Sequence, residues 1–333
     1  MRFLPLILLT ALLHAQSWTL QTTNSKASLR GVSAVDAQVA WASGTGGTYL
    51  KTTDGGVTWT AAKVPGAESL DFRDIQAFGR DKVYLLSSGS GDKARIYKTT
   101  DGGANWTLQL TNSDPKGFFD AFAFWDADHG IAVGDPVDGQ FVILTTSDGG
   151  ATWLRRMTPP SVPNEGAFAA SGTCLITFGK HDAWFATGGP GGARVFHSST
   201  RGLTWTVAPT PIRNDTAASG VFSLAFSDGK HGVAVGGEYS KPTETEHNIA
   251  VTSDGGKTWT QPKGQVPHGF RSAVGFLPGR KAWIAVGTSG SDISTDGGLN
   301  WKEFDTGNFN AFSFSKDKTG WAVGPQGRIG LFK

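Results

Sequence analysis

Thr52-Thr53-Asp54-Gly55-Gly56-Val57-Thr58-Trp59 decides the fold, because its pattern of Ser/Thr, any residue, Asp, Gly, Gly, two more residues and Trp returns along the chain. Strict copies run from Thr99 to Trp106, Thr146 to Trp153, Thr252 to Trp259 and Ser294 to Trp301. A degenerate one, Ser198 to Trp205, has Thr200 in the Asp place and Arg201 in the first Gly place. Asp54, Asp101, Asp148, Asp254 and Asp296, with Thr200 between, are spaced at about one propeller blade of roughly 40–50 residues. The chemistry of each position is local. The carboxylate accepts backbone N–H groups across its own turn, and the glycine pair supplies positive φ. The tryptophan then starts the next strand and wedges between neighbouring sheets, where burying about 150–250 Å² stabilises by up to about 4 kcal/mol.

Between boxes a four-strand order repeats, with the box as the c–d turn. The second unit reads as strands near Phe72–Phe78, Val83–Ser87 and Arg95–Thr99, with the fourth starting at Asn105. The third reads as Phe119–Phe124, Gly130–Gly134, Phe141–Thr145 and Thr152–Arg155. Six units are complete. The seventh supplies Phe309–Phe314, Trp321–Gly324 and Ile329–Phe332 and then the chain ends, one strand short. Trp18-Thr19-Leu20 matches the start of fourth strands such as Trp106-Thr107-Leu108. The expected fold is therefore all-β: a seven-bladed propeller of four-stranded antiparallel blades closed by its N-terminal strand, which removes two exposed sheet edges. Trp18 joins Trp59, Trp106, Trp153, Trp205, Trp259 and Trp301 as the seam tryptophans.

The Asp box together with an upstream Trp-Ala-Val-Gly strand, at Trp321–Gly324 and in Trp283-Ile284-Ala285-Val286-Gly287, resembles the bacterial neuraminidase (BNR) repeat proteins. Within them the chain is similar to propellers of the photosystem II stability and assembly factor type. That resemblance covers residues 17 to 333. It implies a noncatalytic assembly role, binding a membrane-protein precursor from the lumenal or periplasmic side. The box itself is shared with sialidases and sorting receptors, so it speaks for fold and not for function. Asp71-Phe72-Arg73-Asp74-Ile75 and Phe118 to Asp126 go beyond the bare repeat and point to a subgroup with its own site.

Arg2, the apolar run Phe3–Leu13 and the small or polar Ala15, Gln16 and Ser17 read as a signal peptide over residues 1–15 followed by a single domain over 16–333. No later segment approaches the roughly 20 apolar residues of a membrane helix. The expectation is a secreted or periplasmic monomer that does not span the membrane. Without Arg2, the 30 basic residues become 29 against 28 acidic ones, and no basic block marks a nucleic-acid partner. Cys174 is the only cysteine, so no disulfide forms within the chain, and it reads as a core residue.

No cofactor is expected, since Gly44-Thr45-Gly46-Gly47 belongs to a b–c loop rather than to a strand-to-helix dinucleotide turn. Nor is a metal. His129, His181 and His231 fall in a–b turns of three successive blades, which radiate apart. Asp126 and Asp128 begin a calcium-like loop whose twelfth position is Val137 instead of a bidentate acid.

The candidate site lies on the face opposite the boxes. Aligning the strand a starts on a preceding Leu or Phe puts Arg30, Arg73, Asp120, Ser223, Arg271 and Asn310 in one column around the channel mouth. The b–c loops add Asp135, Asp138, Glu238, Tyr239 and Asp292, and the loop into blade four adds Glu165. Two readings compete. These arginines either pair with Asp74, Asp120 or Asp292 and hold blades together, or they recognise a carboxylate or acidic peptide of a protein partner through bidentate guanidinium contacts. A sialidase-like hydrolase or glycan binder is the alternative, with Tyr239 as nucleophile beside Glu238. Against it, the familiar Phe-Arg-Ile-Pro element is missing: Phe72-Arg73 is followed by Asp74-Ile75, and Phe270-Arg271 by Ser272-Ala273.

Overall fold

A computed structural model describes residues 17–332, so the leader expected over residues 1–15 lies outside the described residues. Seven antiparallel sheets form the ring. Blade one runs Leu29–Ala34, Ala40–Gly44, Thr48–Thr52 and Thr60–Lys63 as strands a to d, and blades two, three, four and six repeat that order. In blade seven, Ala311–Phe314, Gly320–Val323 and Ile329–Phe332 are completed by Trp18–Gln21, paired from Trp18↔Phe332 to Gln21↔Ile329. Burial is greatest at strand b in most blades and falls toward the rim. Strand b residues such as Ala40–Gly44 and Val83–Ser88 are wholly buried, while rim strands such as Thr60–Lys63 and Thr107–Thr111 are mostly exposed.

The apolar core divides into seven clusters, each straddling one seam between adjacent blades. Each seam cluster takes in one box-type tryptophan: Trp59 lies edge-on to Trp321 across the seam between blades seven and one, with ring centroids 6.4 Å apart. Trp18 meets Phe332, Phe309, Phe304 and Phe312 at 5.2–6.2 Å and donates its indole N–H to Ser291 Oγ at 3.0 Å. The closing strand therefore supplies a seam as well as a sheet edge.

Blade five departs from the expected four strands. Ser219–Phe226, Gly232–Glu238 and Ile249–Thr252 form a three-stranded sheet, and strand d shrinks to one bridge between Val251 and Thr260. Pro262, two residues on, has no N–H to extend the ladder. The segment instead runs to the blade six box, where Gln265 donates its N–H to Asn300 Oδ1 at 2.9 Å.

Each strict box closes on itself. In the first, Asp54 Oδ1 accepts the N–H of Thr58 at 2.9 Å and Thr52 Oγ accepts that of Gly56 at 2.8 Å. The degenerate turn keeps this geometry: Thr200 Oγ accepts the Thr204 N–H at 2.9 Å, and Arg201 takes the glycine's place at φ +54°. The a–b turn histidines are equally local, His129 bonding Asp126 at 2.9 Å and His231 bonding Asp228 at 2.9 Å.

Candidate functional site

A cavity of about 480 Å³ opens at the channel mouth on the face away from the boxes. Its polar walls are Arg30, Arg73, Asp120, Asp135, Tyr239, Ser272 and Asn310. Its apolar side is aromatic: Phe168 and Phe222 stack at 3.8 Å with an 11° tilt, Phe270 stands edge-on to Phe222 at 4.7 Å, and Tyr239 at 6.1 Å. A trough between blades three and four adjoins it, sharing Asp135, Ala167, Phe168 and Ala217.

Strand a builds this cavity with a recurrent bulge. Arg30, Arg73 and Asp120 each sit unpaired between two residues that are paired to strand b, and the bulge turns each side chain into the channel mouth. In blade five the bulged residue is Phe222, since Val221 and Ser223 are the paired ones. Ser223 turns instead to the next blade, where its Oγ accepts the Val274 N–H at 2.8 Å. In blade six the cavity residue is Ser272, its N–H on Val286 O at 2.9 Å, as that of Asn310 is on Val323 O at 2.7 Å. The column thus slips by one residue in blades five and six. A slip of one in a strand reverses which side a residue faces.

Arg271 consequently leaves the mouth. It is fully buried, its Nε 2.6 Å from Asp292 Oδ2, and it also donates to Phe270 O and Ser289 Oγ. Asp292 lies in strand c of blade six, Gly290–Ser294, and accepts from His268 as well, at 2.7 Å. This pair fits the blade-holding reading. Glu165 is likewise committed: Arg194 and Thr187 both donate to its buried carboxylate. Glu238 is held by Ser240, Arg213 and Lys241. Asp138 makes a surface pair with Lys116 at 3.6 Å.

The residues that remain at the mouth are electrostatically unbalanced. Arg73 donates Nε to Asp71 at 2.8 Å, both side chains being partly exposed. Arg30 has no ion-pair partner among the described residues, and its buried Nε has no acceptor. Burial and the Arg73 guanidinium both lower the Arg30 pKa. Asp120 is 1% exposed with an unpartnered Oδ2. Burial, then the neighbouring Asp135 charge, push its carboxyl well above the usual carboxylate range. Asp135 is raised by burial and accepts one N–H, from Ala167 at 3.0 Å.

Two parts of this region escaped the sequence reading. One is the aromatic wall. The other is the setting of Asp74, expected as a partner for an arginine: it is buried beside Arg73 yet bonded to none, and accepts the N–H of Ile75 at 2.8 Å and, across the seam, that of Phe122 at 3.0 Å. Burial pushes it up to about 7. Gly172 makes room for it, since a Cβ there would lie 2.3 Å from Asp74 Oδ1.

The architecture is that of a seven-bladed β-propeller, and solved propellers match it over almost their whole length. YCF48 bound to D1 peptide matches with TM-score 0.66 at 17% identity, covering 95% of this chain and 96% of that one. YCF48 from Cyanidioschyzon merolae matches with TM-score 0.65 at 16% identity, covering 95% and 98%. A streptogramin B lyase matches with TM-score 0.67 at 14% identity, covering 96% and 97%. At these identities the likeness is one of fold. No protein-family model matches the chain, and no curated protein does.

Proposed function

We propose that the protein is an exported, noncatalytic interaction module that binds a segment of a partner protein through the mouth of its central channel. The observation that carries this is the pairing of Arg30, whose buried Nε has no acceptor, with Arg73 in one aromatic-lined cavity. A guanidinium in that position gains most from a planar carboxylate, so the partner segment is acidic. The rings supply an apolar surface for the flanking side chains. The solved YCF48 bound to D1 peptide gives a precedent for a peptide on this architecture. The leader-like Arg2 and Phe3–Leu13 support export, and an envelope membrane-protein precursor is then a fitting partner.

Tyr239 also lines the cavity, which keeps a glycan ligand as the second reading. Glu238, the base a tyrosine nucleophile would need, is engaged by Arg213 and Lys241 instead. That favours binding over glycoside hydrolysis.

The test is capture of partners from the native envelope fraction with residues 16–333, followed by direct titration of the captured segment. Charge-assisted contacts contribute about 1.5–3 kcal/mol each, so Arg30→Ala with Arg73→Ala should weaken binding about a hundredfold or more. Undiminished binding by that variant, or turnover of a sialoside that depends on Tyr239, would replace this reading.

A further inference from the structure

The cavity leaves groups of both signs unmatched, not arginines alone. Asp120 Oδ2 is buried without a hydrogen-bond partner, and among the described residues neither Asp120 nor Asp135 pairs with a lysine, arginine or histidine. Both line the same cavity as Arg30 and Arg73, and the stacked Phe168 and Phe222 line it too. Two adjacent carboxyl groups in a poorly hydrated wall are a costly arrangement for the free protein, and a ligand cation relieves it. The rings beside them suit an organic cation, which gains from aromatic faces. A hard metal ion would take about six to eight oxygens.

We infer that the preferred ligand is dipolar: a peptide segment in which an acidic side chain reaches Arg30 and Arg73 while a basic one reaches Asp120 and Asp135, with an apolar residue between them on the phenylalanine wall. This rests on the proposed carboxylate-binding role of the arginines and narrows it. A uniformly acidic segment satisfies Arg30 but brings no cation to Asp120 and Asp135, whose buried carboxyl groups stay unmatched. A segment of alternating sign satisfies both, and the cavity thereby discriminates among acidic partners by whether they also carry a cation at the right spacing.

Calorimetric titration of end-blocked peptides tests this. One set carries glutamate, phenylalanine and lysine separated by zero to two alanines; matched sets replace lysine by glutamine, or glutamate by glutamine. The expected result is that the lysine peptide with the best spacing binds at least tenfold tighter than its glutamine counterpart. Asp120→Asn should erase that advantage without weakening the glutamine counterpart. Asp135→Asn serves as a second variant, with melting curves to establish that each is folded. Equal affinity for the lysine and glutamine peptides, or an unchanged lysine advantage in folded Asp120→Asn and Asp135→Asn, overturns the dipolar assignment and leaves the arginine reading standing. If the glutamate-to-glutamine exchange has no effect, or Arg30→Ala with Arg73→Ala binds normally, the arginine reading fails and takes this inference with it.

Discussion

The two faces of the ring handle polar groups in opposite ways. On the box face each carboxylate finds its partners within four residues of itself, as Asp101 does with the N–H and side chain of Asn105, at 2.9 and 2.8 Å. On the channel face Arg30 and Asp120 keep buried atoms that no neighbour satisfies. A buried polar group left unpaired costs free energy, so a fold retains it only where something offsets the cost. A local partner therefore marks the box aspartates as turn chemistry, whereas ionisable groups left unpartnered in the wall of a cavity mark the mouth as a place for a ligand. Arg271 is the instructive intermediate: it resembles Arg73 in sequence, but with Asp292 it behaves like the boxes.

Opening the ring should have the largest effect and should not respect this division. Deleting residues 16–23 removes Trp18 from its aromatic seam, and loss of so large a buried side chain alone typically costs about 3–5 kcal/mol. Both faces should fail together, with a sharp fall in melting temperature; a truncated protein melting cooperatively at the parent temperature would break the closure scheme. Arg271→Ala should come next. It leaves Asp292 buried and partly uncompensated, a change that typically costs about 3–5 kcal/mol, while affinity per folded molecule stays unchanged. A selective loss of binding would move Arg271 back to the mouth.

Titration should separate the faces by sign. Asp101, Asp148 and Asp254 are held at about 2, in each case by bonds from their own turn, led by the Asn105 N–H for Asp101 and the threonine hydroxyl for the other two. Their stabilisation is present above the unfolded carboxylate value of about 4 and is lost as pH falls toward 2. Asp74, pushed up to about 7 by burial, works in reverse. The folded state holds its proton more tightly than the unfolded chain, so stability falls as pH rises from about 4 to about 7. Asp120 and Asp135 shift in the same direction. Melting temperature followed across pH should therefore peak near about pH 4–5, with Asp74→Asn flattening the upper limb and Asp101→Asn the lower. Stability that rises steadily to pH 7 would contradict the acid cluster.

The smallest expected effect is at the degenerate turn. Thr200 already accepts the Thr204 N–H, and Arg201 offsets its positive φ by donating to Lys180 O at 2.8 Å. Replacing both residues with Asp and Gly exchanges one gain for one loss. Thr200→Asp alone should stabilise by about 0.5–1 kcal/mol, read from denaturant unfolding; destabilisation would mean that this turn is not equivalent to the other five.

The ring and its closure were legible because the boxes and Trp18-Thr19-Leu20 are local signals whose meaning does not depend on distant residues. The mouth was legible only where the repeat stayed in register. Arg30, Arg73 and Asp120 were found by their place after Leu or Phe. In blade six the same rule chose Arg271 over Ser272, because Phe270-Arg271 imitates Phe72-Arg73. Counting back 13 residues from the end of strand b, as from Val133 to Asp120 and from Val323 to Asn310, brings Phe222 into the column from Val235 but gives Ala273 from Val286, so Ser272 is placed only by the pairing of Ala273 with Val286. Pro262 carried the signal for the shortened blade five. The partners of Glu165 and Glu238 carried none, because Arg194 and Arg213 meet them only through the fold.

Pairing affinity with stability in two variants tests the division most directly. With a peptide that binds the wild type, Arg30→Ala and Arg73→Ala together should weaken binding about a hundredfold or more. Their melting temperature should stay near the parent value, because a partly exposed pair such as Arg73 with Asp71 contributes little stability. Asp101→Ala and Asp148→Ala together should melt earlier and bind as the wild type does per folded molecule. The reverse outcome, arginine variants that melt early and bind normally, would make the mouth another set of structural contacts and contradict the account.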